Sequence, residues 1–296
     1  MDHRTLISSL PPETKARLLA RSDAAGITHL AAYFGALALT TTGILVQVPF
    51  WQALLLPQGI LLVFLFTLSH ECTHKTPFRT NWLNEVVGHV VAVLNLLPFV
   101  WFRYYHLAHH KWTNDPRRDP ELAGKPRPES WASLMVYLSG WFYWKGMVIV
   151  LFNNALGRID APYLPEGQHR AMRREARILL ALYAIAALSL SWSPVLFQLW
   201  LLPLLIGQPF LRLYLLAEHG LCPAVANMLE NSRTTITNRI VRFLAWNMPY
   251  HAEHHAFPNV PFHKLPELHE WTRVHLKSTS QGYRAFTADY ARSLAR

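Results

Sequence analysis

Residues 246–269 read WNMPYHAEHHAFPNVPFHKLPELH, and His251, His254 and His255 within them place three imidazoles in five residues. Packing alone gives no reason for that density. On a helix, residues three or four apart share a face and adjacent residues differ by about 100°. His251 can therefore share a metal site with His254 or His255, while the adjacent pair splays toward two different ions. The same HxxHH spacing recurs at His106, His109 and His110, and a looser HxxxH pair stands at His70 and His74. A lone histidine is ordinarily a satisfied structural residue; eight in three spaced clusters point to metal.

The 296 residues are 51% hydrophobic and only 16% charged, too apolar for an ordinary soluble chain, so a single membrane-embedded domain over 1–296 is expected. The formal charge of +10 could indicate a nucleic-acid partner. Lysines and arginines, however, fall in blocks between apolar runs, which is the positive-inside pattern and argues for no nucleic acid. Cys72 and Cys222 are the only cysteines and suggest no disulfide framework, in keeping with a reduced, cytosol-facing site. The first 25 residues carry Arg4, Lys15, Arg17 and Arg21 and lack the apolar core of a secretory signal, so the spans themselves are expected to direct insertion.

No Asp, Glu, Lys or Arg occurs in 24–70, a stretch with room for two spans of about 20 residues each. They are placed at about 26–48 and 57–74, the second running on as helix into HECTH. The run 86–102, broken at Pro98, reads as a re-entrant or interfacial helix; the aromatic-rich 131–152, with Lys145 inside it, reads as interfacial. Residues 178–211 are again uncharged and divided by SWSP at 191–194, giving spans at about 177–193 and 195–217 that deliver Glu218 and His219 to the face of the other clusters. Four spans put both termini, the basic blocks and all three clusters on one side. Residues 75–176 and 218–296 then form a cap.

Neutral imidazole suits zinc, copper, iron and nickel. A tetrahedral zinc takes four ligands, three in a catalytic site. Eight clustered histidines plus His219 exceed that and match two five- or six-coordinate ions. Such a pair beside a membrane suggests redox chemistry with dioxygen more readily than hydrolysis.

HECTH, HLAHH and HAEHH, at these intervals and between two pairs of spans, resemble the three histidine boxes of the membrane fatty acid desaturase superfamily. The flanks HHKWTNDPRRDPE and NMPYHAEHHAFPNVPFHKLPELH are similar to its bacterial branch, and the resemblance covers about 25–270. It implies an all-α membrane fold of four transmembrane helices, interfacial helices and a cytosolic histidine-rich cap, shaped like a mushroom. It also implies a non-haem diiron centre of two Fe ions held by His70, His74, His106, His109, His110, His219, His251, His254 and His255, the match of His219 resting on its place after the last span. Animal acyl-CoA desaturases place an asparagine four residues before the histidine equivalent to His219; Leu215 stands there, and Asn247 is the candidate substitute. Metal-bound histidines donate their second N–H to a carboxylate or carbonyl. The available carboxylates are Glu71, Glu218, Glu253, Asp115 and Asp119, with Asp115 and Glu253 expected first. His29, His89, His263, His269 and His275 lack cluster spacing and are expected to be structural, and topology accounts for the arginines at 103, 117, 118 and 158–177.

The activity implied is removal of two vicinal hydrogens from a lipid or acyl chain, on acyl-lipid or acyl-CoA, with O2 as co-substrate. Electrons would come from an external ferredoxin-like donor, since two cysteines cannot ligate an iron–sulfur cluster. The implied location is the cytoplasmic membrane, if the source is bacterial, with the active site facing the cytosol. A diiron hydroxylase or a carotenoid or lipid ketolase is the nearest alternative. A membrane zinc metalloprotease is the next, because HECTH satisfies HExxH; it would leave both HxxHH clusters unexplained. A metal transporter would place ligands near the midplane rather than at span ends.

Overall fold

The computed structural model describes residues 1–123 and 127–295. Asp2 caps a short helix α1 (His3–Ser9), and Pro12 opens α2 (Pro12–Leu18), where its missing N–H costs nothing. Ser22 accepts from the Ala25 N–H and starts the long α3 (Asp23–Leu45); the following α4 (Leu55–His74) is apolar almost throughout and mostly buried. Gln58 ties the two together, with Nε2 donating to Thr41 Oγ1 and to the Leu199 carbonyl, each at 3.0 Å. Polar side chains of this kind bind helices to one another where lipid offers no hydrophobic drive.

Helices α5 (Asn81–Leu94) and α6 (Phe99–Trp112) meet at a 100° bend. The break frees carbonyls at the end of one helix and N–H groups at the start of the next. Other elements satisfy them. The Tyr183, Trp200 and Tyr143 side chains donate to the carbonyls of Val93, Leu94 and Asn95 at 2.9, 2.7 and 2.6 Å. The Glu175 carboxylate accepts from the N–H groups of Phe99 and Val100 at 3.0 Å each. Irregular backbone at membrane depth would require such protein partners, and this pair has them. Helices α7 (Trp131–Leu138) and α8 (Trp141–Leu156) form a second bent pair, turning 51° through Gly140, whose φ of 74° suits glycine.

Helix α9 (His169–Ser189) precedes α10 (Leu202–His219), which a π turn at Phe197–Leu201 introduces. Among the described residues three stretches are long and apolar enough to cross a membrane: Pro12–Leu45, Trp51–His74 and Phe197–His219, or up to five if each bent pair counts as one. The expected span at about 177–193 is not among them. Arg170, Arg173, Arg174, Glu175 and Arg177 occupy the first turns of α9 and leave only 178–189 uncharged. Those residues rise about 18 Å against a hydrocarbon core of about 30 Å.

Helices α4 and α10 cross with their backbones in contact. A Cβ on Gly207 would stand 2.4 Å from the Gly59 carbonyl oxygen, and one on Gly59 would stand 2.2 Å from that of Pro203. Small residues permit such an approach. His70 lies eleven residues beyond Gly59 and His219 twelve beyond Gly207, so both sit at about 16–18 Å from the crossing, level with each other.

After α10 come α11 (Met228–Asn231), strand β1 (Thr234–Ile236), α12 (Arg239–Leu244), α13 (His251–Ala256), α14 (Leu265–Thr272), strand β2 (Thr279–Gln281) and α15 (Gly282–Leu294). The strands pair in parallel, Thr234 opposite Thr279, a small departure from the all-helical expectation. The pairing satisfies backbone on either side of α13, since the Thr234 N–H reaches the Ser278 carbonyl and the Thr235 N–H that of Pro249.

Candidate metal centre

Four helices deliver the clustered histidines. His70 and His74 close α4, His106, His109 and His110 lie near the end of α6, His219 ends α10, and α13 supplies His251, His254 and His255. Three of these helices thus point C-terminal ends, with their partial negative charge, at one place, an arrangement that favours cations. The imidazoles fall into two groups whose donor nitrogens lie within 4.8 Å of one another: His70, His74, His106, His110 and His254, and separately His109, His219, His251 and His255. Each adjacent pair, 109–110 and 254–255, divides between the groups, as the helical turn requires.

The second group shows what the nitrogens are for. His109 Nδ1 meets both oxygens of Asp119 at 2.9 and 3.0 Å, and His219 Nδ1 meets the Asn231 carbonyl at 3.1 Å. Both acceptors demand that Nδ1 carry the proton, so both Nε2 atoms hold lone pairs. Thr113 Oγ1 donates to the His109 carbonyl and therefore accepts from His255 Nδ1 at 3.0 Å. His251 Nδ1 lies 3.3 Å from Glu218 Oε1. The Nε2 atoms of His109, His219 and His255 are thereby left as acceptors, yet His109 and His219 Nε2 stand 3.2 Å apart, with His251 Nε2 2.9 Å from His219 Nε2. Two lone pairs do not hydrogen-bond each other; they need a shared electrophile. Metal–nitrogen bonds of about 2.1 Å at right angles give neighbouring nitrogens about 3.0 Å apart, which matches.

The first group repeats the spacing, with His74 and His106 Nε2 at 2.8 Å and His254 and His110 Nε2 at 3.2 Å. Behind it lies the fully buried Glu71, whose Oε1 is 3.6 Å from His254 Nδ1 and 3.9 Å from His70 Nδ1. Burial, followed by the surrounding imidazoles, pushes His251, His254 and His255 well below the usual histidine range, so these rings stay neutral and able to ligate. Nine buried or half-buried imidazoles, in groups of five and four, could thus hold a metal ion in each group.

The carboxylates sort differently from the order expected. Glu71 and Glu218 stand beside histidines of the two groups. Asp115 instead turns to the Arg117 N–H at 2.9 Å and the Arg118 guanidinium at 2.6 Å; that N–H, with Arg118, holds its carboxyl below the usual range, and its hydrogen bonds reach no histidine. The partner it was expected to be is Asp119, four residues on. Glu253 is fully buried on α13 but faces away from the metal groups, accepting from His269 Nδ1 at 2.5 Å, Thr272 Oγ1 at 3.0 Å and Thr234 Oγ1. Its alternation with the histidines along a helix puts it on the opposite side. Asn247 donates to the Phe262 carbonyl and accepts from Arg242, so it stands apart from the cluster too. Thr113 and Asn231 carried no sequence signal. The side chain of one and the carbonyl of the other act only because the fold brings them to a ring.

A cavity of about 840 Å³ opens against both groups, touching His70, His106, His109, His219 and His251. Its remaining wall is largely apolar, with Phe66, Leu97, Trp101, Phe102, Met147 and Leu215. Leu215 is thus a wall residue.

Comparison with known proteins agrees with this architecture. The family model described as Fatty acid desaturase matches residues 15–287. The chain is 23% identical over 248 residues to a fatty acid conjugase of Calendula officinalis, covering 74% of this chain and 67% of that one. It is 24% identical over 233 residues to the sn-1 oleoyl-lipid 12-desaturase of Picosynechococcus, covering 70% and 64%, so these alignments span about two thirds of the relatives' own length. With the Synechocystis sn-1 oleoyl-lipid 12-desaturase the identity is 23% over 328 residues, covering 95% and 90%. Plant and cyanobacterial proteins match at the same level, so at 23% identity the similarity supports a bacterial branch only weakly.

Proposed function

Because the chain belongs to the fatty acid desaturase family, a membrane family of oxidoreductases, we propose that it is an O2-dependent diiron desaturase that introduces a C=C bond into the alkyl chain of an acyl-lipid or acyl-CoA. The observation that carries this reading is the set of facing imidazole lone pairs, divided five and four, beside an apolar cavity. An iron pair bound there supplies dioxygen activation and the oxidising power to break unactivated C–H bonds. The balance is R–CH2–CH2–R′ + O2 + 2 e⁻ + 2 H⁺ → R–CH=CH–R′ + 2 H2O, with the two electrons from an external carrier of ferredoxin type.

The protein's own part is positional. Asp119, the Asn231 carbonyl and Thr113 hold the Nδ1 protons of His109, His219 and His255 and so aim their Nε2 atoms, and Glu218 lies 3.3 Å from His251 Nδ1. Phe66, Leu97, Phe102 and Leu215 exclude water and give the wall a shape that lays methylenes next to the histidines, the methylenes themselves offering no polar handle. Within this reading the polar segments 75–176 and 218–296 form a cytosolic cap over four crossings in the cytoplasmic membrane. Segment α9 makes the short crossing by borrowing length from its arginine-rich first turns, whose side chains snorkel to the interface. The protease reading weakens, because His70 and His74 of HECTH share their site with three further imidazoles.

The test is metal content and Mössbauer spectroscopy of the detergent-purified protein beside a His251→Ala control, with lipid extracts of expressing cells screened for new double bonds. Two irons per chain, reduced in the variant, are expected. One zinc and no iron would end the proposal.

A further inference from the structure

Arg212 lies in α10, about 10 Å along the helix from His219 and inside a stretch apolar enough to span a membrane. An arginine at such a place is expensive and ordinarily has a partner. Here the side chain is 9% exposed, and among the described residues no carboxylate lies within ion-pair distance, Glu218 on the same cavity wall acting on it only at longer range. Its Nε donates to Gln208 Oε1 at 3.1 Å, and its guanidinium carbon lies 4.5 Å from the centre of the Tyr143 ring. Both supports are themselves held: Gln208 is fully buried with its side chain against Gly140, where a Cβ would come within 2.9 Å of it, and the Tyr143 hydroxyl is committed to the Asn95 carbonyl. The guanidinium is therefore fixed in one orientation, and its Nη2 has no hydrogen-bond partner. Arg212 and Tyr143 line the same cavity as His219 and His251.

A buried, oriented and unpaired guanidinium on a cavity wall is half of a charge-assisted pair. The guanidinium presents paired donors in a plane, and a carboxylate presents two acceptors in a plane. We propose that Arg212 is an anion subsite within the substrate cavity, and that the substrate is an amphiphile whose own carboxylate enters the cavity and pairs with it. This rests on the reading of the cavity as the site of a diiron desaturase, and replaces the acyl-lipid or acyl-CoA of that reading by a chain that carries a free carboxylate. It makes the position of reaction a distance measured from the acid group: the wall fixes the carboxylate at Arg212 and the chain then passes the histidines. A phospholipid acyl chain, whose ester stays at the membrane interface, would leave the guanidinium unpaired.

Calorimetric titration of the purified protein at pH 8 with dodecanoate, methyl dodecanoate and dodecan-1-ol tests the subsite without turnover. Wild type is expected to bind dodecanoate at least about tenfold more tightly than either neutral probe. Arg212→Gln should remove that preference while leaving the alcohol's affinity within about twofold, and Arg212→Lys should keep part of it, because the charge remains but the planar pair of donors is lost. Equal binding of acid and methyl ester by wild type, or an acid preference that survives Arg212→Gln, overturns the proposal. Should Arg212→Gln fail to fold, the wild-type comparison and Arg212→Lys still decide. Iron content, measured on the same preparations, reports on the desaturase reading separately.

Discussion

Asp119→Asn isolates the part played by a single proton. In the wild type Asp119 Oδ1 accepts from His109 Nδ1 at 2.9 Å and from the Glu121 N–H at 2.9 Å, while Oδ2 accepts from the Asn114 N–H at 2.8 Å and again faces His109 Nδ1, at 3.0 Å. Every group around this carboxylate is a donor. An asparagine has one accepting atom and one donating atom, so one of its two orientations sets an NH2 against the Asn114 N–H, and the other sets it against Glu121 and His109. In the second orientation His109 relieves the conflict by moving its proton to Nε2, the atom that faces His219 Nε2 at 3.2 Å. A protonated Nε2 cannot ligate. Loss of such a supporting partner costs about 10–100-fold in metal affinity, or about 1.4–2.8 kcal/mol, and the cost falls on the four-histidine group alone. Iron retained against increasing concentrations of a chelator should therefore drop in two steps in Asp119→Asn, with one iron lost at about 10–100-fold lower chelator. Asp115→Asn, in the same loop but bonded only toward Arg117 and Arg118, should follow wild type. Simultaneous loss of both irons, or equal effects of the two substitutions, would refute the tautomer argument.

Full removal of metal should lower the thermal midpoint, because ions that bind only the folded chain add about 2.7 kcal/mol each at a hundredfold excess over Kd; a midpoint unchanged by chelator would mean the imidazole groups hold no metal. Gly207→Ala puts a methyl 2.4 Å from the Gly59 carbonyl oxygen and should destabilise the α4–α10 crossing by about 1–3 kcal/mol in detergent melting. Gly35→Ala is the control, since a Cβ there meets nothing within 4 Å and the variant should melt as wild type.

The candidate metal-binding residues were legible because their spacing is set by covalent geometry: i, i+3 and i+4 on a helix share a face whatever the rest of the chain does. His70, His74 and the two HxxHH clusters needed nothing else, and His219 needed only the uncharged run before it. The long apolar helices were legible for a similar reason, as charge-free length is a property of the local chain. Which carboxylate meets which ring was not. Asp115 and Asp119 lie four residues apart in one loop, and the path of that loop beside α6 alone decides that the second reaches His109. Helical spacing alone turns Glu253 from the face of its neighbouring histidines, but that it bonds His269, sixteen residues away, was decided by packing. The partners that cap the break between α5 and α6 and the unpaired guanidinium of Arg212 belong with these. Each is the presence or absence of a partner distant in the chain, and hydrogen-bond partners are assigned by packing in three dimensions, which residue spacing does not encode.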